Sequence, residues 1–148
     1  MSFTDVRPYF RARIKAVAPE LVEWKDGFNE ENIPKPLIQK KCFHIVVGRF
    51  NQSKLQMNGC HEFKGTATIN LYLDGSKDPQ KGIDDIIAKG QSIVVESLKA
   101  VNRATQPGIK NLSLSNFDPS ALSASNDNTV RLTIEFDLTI VLEIEVRP

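Results

Sequence analysis

From Val130 to Val146 every second residue is apolar: Val130, Leu132, Ile134, Phe136, Leu138, Ile140, Leu142, Ile144 and Val146. Between them stand Arg131, Thr133, Glu135, Asp137, Thr139, Val141, Glu143 and Glu145. Unbroken period-two alternation marks a strand with one wet face and one dry face. A straight strand of that length would reach about 55 Å at roughly 3.3 Å per residue. A compact globule of 148 residues has a radius of gyration of about 15 Å. The strand is therefore expected to bend, to break at a bulge near Ile140-Val141-Leu142, or to overhang its own domain. An overhanging apolar face needs a partner to cover it, and so the pattern points toward assembly.

The length suits one domain, residues 1–148, with a real core. Charge is balanced, 19 basic against 18 acidic residues, which gives no general attraction to nucleic acid or to a membrane surface. The two cysteines, Cys42 and Cys60, are too few for a secreted disulfide scaffold and imply a reducing compartment. No apolar run approaches the ~20 residues of a spanning helix. MSFTDVRPYF lacks the basic-then-apolar layout of a signal peptide. The expectation is a soluble protein made in the cytoplasm.

Phe3, Val6, Phe10, Ile14 and Val17 recur at helical spacing, and Arg7, Arg11, Arg13 and Lys15 fall on the other face. That basic face either meets phosphate or an acidic partner, or is simply solvated. Ser2 and Asp5 resemble a capping box, and Pro8 predicts a late start or a kink. Leu21 to Trp24 suits a short strand. Residues 25–41 read as a long irregular connection carrying Phe28 and Ile33 among Gly, Asn and Pro; such loops are usually functional or disordered.

Cys42 to Phe50 is β-rich, 51–60 reads as a polar loop or hairpin arm, and Phe63 to Leu73 alternates again. Asp78-Pro79 predicts a helix start, with a buried stripe of Ile83, Ile87, Val94, Leu98 and Val101 and Ile86 beside it. Leu112 and Leu114, with Asn116 as an uncertain third member, mark a further strand, and Asp118 to Thr129 reads as a mobile loop. The expected fold is α+β: one domain, a mixed, largely antiparallel sheet of four to five strands, two main helices and a long last strand.

Chemistry-bearing motifs are sparse. Cys42-x-His44 and Cys60-His61 hold residue types that suit zinc, but at spacings foreign to the common zinc modules. The plainer reading is packed or exposed strand residues. There is no nucleophile elbow, no phosphate-binding glycine loop, and no closing Glu for a calcium loop after Asp74-Gly75-Ser76-Lys77-Asp78. No catalytic, cofactor or metal residue is assigned. Glu135, Asp137, Glu143 and Glu145 form an acidic stripe with two readings. It is either the wet side of a strand or the lining of a channel in which negative charge keeps a polyanion from sticking.

The block Trp24-Lys25-Asp26-Gly27-Phe28-Asn29-Glu30-Glu31-Asn32-Ile33-Pro34 is the most distinctive in the chain. With Val6-Arg7-Pro8-Tyr9-Phe10, Phe43-His44-Ile45 and Leu71-Tyr72-Leu73-Asp74-Gly75, it resembles tail terminator proteins of long-tailed bacteriophages, also called tail completion or minor tail proteins. The resemblance runs over the whole length in element order. The family often has an aromatic residue just before His at the strand start, and Phe43 fits. Such motifs are structural and define no active site.

The resemblance implies a hexameric ring on the head-proximal end of the tail tube. The ring stops tube polymerisation and offers a joining surface to the head's completion or connector protein. Genomic DNA passes through the hole unread, and the protein ends up in the virion after assembly in the host cytoplasm, with no membrane and no cofactor. Trp24, Asp26, Phe28, Asn29 and Asn32 are the candidate subunit or tube contacts, since buried aromatics often carry interface energy; for Trp24 and Phe28 an ordinary core role is the alternative. The nearest rivals are a head-side joining protein and a tail tube subunit. A small α+β enzyme or ligand-binding domain using His44, His61 and the cysteines is the rival from another class.

Overall fold

A computed structural model describes residues 3–24, 42–55, 60–74, 79–102, 109–122 and 129–143. A 3-10 turn, Phe3–Asp5, leads into α1 (Val6–Val17). There follow β1 (Val22–Glu23), β2 (Cys42–Val47), β3 (Asn51–Leu55) and β4 (Cys60–Asp74). Then come α2 (Pro79–Asn102), β5 (Ile109–Leu122) and β6 (Thr129–Glu143). The fold is α+β, with two helices on one face of a six-stranded sheet in the order β1-β2-β4-β6-β5, and β3 added beside β2 on the same edge of β4. Every pairing is antiparallel except β1 with β2.

Pro8 neither delays nor kinks α1. It sits in the first turn, where the missing N–H has no intrahelical acceptor to lose. Asp5 precedes the helix, but in helical backbone geometry, and its side chain makes no cap hydrogen bond. Ser2, the other half of the expected capping box, lies outside the described residues.

Over its described residues β6 is flanked on both sides, and the remainder of the expected strand, 144–146, lies outside the described residues. Its register with β4 runs unbroken from Cys60↔Glu143 to Asp74↔Thr129, and β5 flanks its other side. It is one strand, and the bulges fall in β5, between Ile109 and Asn111 and between Leu114 and Asn116. Its dry face is sealed by the chain itself: Leu132, Ile134, Phe136 and Ile140 are all 0% exposed. From Val130 to Ile140 that face is covered within the protomer, whereas Leu142 is only partly buried.

The core lies between this dry face and the helices. Phe10 of α1 stacks on Phe136 at 5.2 Å, and Tyr9 OH donates to Ser97 O of α2 at 2.7 Å. Burying each such large apolar side chain is worth about 1.5–3 kcal/mol. The inward stripe of α2 is rotated from the expected one. Ile86 and Ile93 are fully buried, while Ile83, Ile87 and Leu98 are only partly so. Gly90 lets the helix settle onto Leu132 and Phe117, which turns the Ile86–Gly90–Ile93–Ser97 line inward.

The expected loop at 51–60 is in part strand β3, and β5 extends through the expected loop as far as Leu122. The connection 25–41, the Asn58-Gly59 turn and the Asp78 cap lie outside the described residues. No described helix is long and apolar enough to cross a membrane.

Candidate assembly surface

The outward face of the sheet is built from the alternate residues of each strand. Opposite one another lie Thr66 and Asp137, Thr68 and Glu135, Asn70 and Thr133, and Tyr72 and Arg131. Because cross-strand partners share a face, Glu135 and Asp137 project from this wet side. They are not a pure acidic stripe there: Arg131 shares their strand face, and Lys64 stands opposite Thr139. Glu143 ends the β6 backbone, and Glu145 lies outside the described residues.

Part of this face is a concave trough of about 680 Å3, bordered by Arg49 and Asn51 on one side and by Asn111 and Ser113 on the other, with Lys64, Thr66, Asp137 and Thr139 on its floor. Around the trough, other polar groups of the sheet engage one another. Thr133 Oγ1 donates to Asn70 Oδ1 at 3.0 Å. Ser115, the extra residue of a β5 bulge, donates from Oγ to the Glu135 carbonyl at 3.1 Å. Glu62, almost wholly buried, is ion-paired with Lys110. The result is a polar wall of mixed charge.

At the β1 end the outward face is closed. Trp24 is only 9% exposed, its N–H donates to the Phe43 carbonyl at 2.8 Å, and its ring lies 5.8 Å from that of His44. Within one protomer Trp24 is thus already packed. Asp26, Phe28, Asn29 and Asn32, the other expected contacts, lie outside the described residues.

The residues of the rival, catalytic reading are scattered. His44 stands opposite Asn70, and the span of β4 from His61 to Asn70 is about 30 Å. His61 instead shares a hydrogen bond with Gln52 at 2.8 Å. Cys42 is fully buried, and burial pushes its thiol up to about 11, which disfavours the free thiolate at neutral pH. Among the described residues no group of three His, Cys, Asp or Glu side chains converges as a metal would require.

No local sequence pattern marks the lateral edges of the sheet. Among the described residues, one edge is the whole of β5, paired on one side only. The other is split between β2 and β3, with β1 covering only Cys42 and Phe43. No protein-family profile matches this chain, and no curated protein aligns with it significantly.

Proposed function

We propose that this chain is a tail-terminator-like structural protein. Six copies form a ring on the head-proximal end of a phage tail tube, and a head-side connector docks on the opposite face. The mechanism is geometric and involves no catalysis. One ring face matches the tube's stacking surface, the other does not repeat it, and growth stops. DNA crosses the central hole without sequence-specific contact, and the ring stays in the virion.

The observation that supports this beyond the Trp24–Pro34 block is the form of the sheet. Its dry face is covered by the protein's own helices except at the β5 margin, part of its wet face is a polar trough, and among the described residues its two lateral edges are unpaired and unlike. Such a unit suits a wall segment of a channel. Head-to-tail contacts between unlike edges close into rings when the rotation closes.

The test is to add the purified protein to polymerising tail tubes and image them. The expected result is short tubes bearing a ring at one end, and discrete six-subunit particles by mass. Long tubes formed by the protein alone would make it a tube subunit. Binding to head connectors but never to tubes would make it a head-side joining protein.

A further inference from the structure

We propose that the open edge of β5 and the apolar groove beside it receive the β3 edge of a second copy of this chain, head to tail. This rests on the ring reading and names the surface that builds the ring.

The groove lies between α2 and β5 and is lined by Ile87, Gln91, Val94, Val95, Leu114 and Phe117. Val95 is 42% and Leu114 40% exposed although both belong to the helix side of the sheet. At the opposite edge, also on the helix side, stands an apolar projection. Phe3, 40% exposed, packs on Phe50 at 5.0 Å and on Phe63 at 5.2 Å. A groove on one edge and an aromatic projection on the other are the two halves of a heterologous contact.

Strand direction agrees. β5 runs parallel to β4, because each is antiparallel to β6, whereas β3 is antiparallel to β4. With the two wet faces continuous, β5 of one copy therefore meets β3 of the next in antiparallel fashion.

Register and charge agree as well. Phe50 lies against Gly65, while Phe117 is level, through Ile134, with Ile69. Arg49, exposed on the wet side, follows Gly48, whose N–H donates to the Thr66 carbonyl. Asp118, also exposed, is level through Thr133 with Asn70. One stagger, Gly65 to Ile69 or Thr66 to Asn70, therefore brings the aromatic projection to the groove and Arg49 to Asp118 together. That shift is roughly 13 Å along the strands, and a fixed stagger is what closing strands into a barrel requires.

The test uses the full chain, with and without tail tubes, and reads particle mass over a concentration series, with circular dichroism to check folding. Leu114→Glu is expected to weaken association by about tenfold or more, as does Arg49→Glu or Asp118→Lys alone. The combined Arg49→Glu/Asp118→Lys chain is expected to recover it, because each contact then carries the reversed pair. Wild-type rings that persist in folded Leu114→Glu, or reversals that the double variant fails to rescue, overturn this interface and leave the ring reading intact. Dimers that respond to Leu114→Glu but not to Arg49→Glu also overturn it, since they join like edges. A wild-type chain that forms no ring even on tail tubes overturns the ring reading and this interface with it.

Discussion

The backbone of Gly90 in α2 rests so closely on Leu132 in β6 that a Cβ at Gly90 would lie 2.1 Å from Leu132 Cδ2. Two atoms of the Phe117 ring would stand 3.2 Å from the same point. Gly90→Ala is therefore expected to destabilise the protein by about 1–3 kcal/mol through overpacking, less the fraction of a kcal/mol that Ala gains as a helix former. Urea unfolding measures it. Leu132→Ala should cost less in the Gly90→Ala background than alone; additive losses would mean that the two residues do not compete for one space.

Arg11 grips Glu23 with two nitrogens, Nε and Nη2, the latter bond being 2.8 Å. This pair ties α1 to β1. Glu23 is 5% and Arg11 29% exposed, so the geometry is good but the guanidinium is partly screened. Arg11→Ala, which leaves a buried carboxylate without its guanidinium, should cost about 1–2 kcal/mol. Arg11→Ala/Glu23→Gln should cost less than Arg11→Ala alone, measured by thermal unfolding at low and high salt.

Burial holds the Cys42 thiol at about 11, above its ordinary 9.0. The unfolded chain ionises first, so this contribution is intact below pH 9 and is lost as pH rises toward 11. Burial also raises the Tyr9 phenol, against the pull of Arg13 and with the help of Glu96, and it adds a second loss in the same direction at higher pH. Cys42→Ala should lower stability at every pH yet flatten its decline between about pH 9 and 11. Denaturant titrations of both chains across that window decide it. A parallel decline in the variant would assign the slope elsewhere.

A Cβ on Gly65 would lie 2.4 Å from the Phe50 ring. Gly65→Ala should push Phe50, and with it Phe3, off their present contacts while leaving the α2 side of the core undisturbed. Ring-proton chemical shifts of Phe3 and Phe50 should move, with a stability loss of about 1–3 kcal/mol. Unchanged shifts would mean that the ring has room to yield.

The strands with strict alternation were legible in the sequence. β6 announces itself because β4 and β5 flank it and its inner face is buried from Val130 to Ile140, and β4 reads clearly from Phe63 onward because it too is paired on both sides. β5 was underestimated because its bulges shift the phase. Leu112 and Leu114 face the helices, and after the extra Ser115 the inward positions become Phe117 and Pro119, so no single period fits. β3 reads as a loop because Asn51 and Gln52 are exposed edge residues whose pairing comes from β4 rather than from their own propensity. On α2, Val94 is buried as the apolar count expects, but Ile83 and Ile87 are only partly so, because the small residues Gly90 and Ser97 let the helix approach along another line. Of the candidate assembly residues, Glu135 and Asp137 fall on the wet face as alternation requires, and Trp24 is packed. The open edges are properties of the sheet order, which no local pattern encodes.

The strand order also sets a timetable. β6 is synthesised after all its described neighbours, yet it occupies the middle of the sheet between β4 and β5. A ribosome-bound chain lacking β6 has α1, α2, β4 and β5 in hand but lacks the strand with which β4 and β5 pair. Its half-core stays exposed until the final hydrophobic strand emerges. Pairings so distant along the chain form slowly, and the waiting intermediates are prone to aggregate. A nascent chain of this design therefore gains its native fold late and nearly all at once, and a stalled or truncated product is a substrate for chaperones rather than a smaller version of the domain.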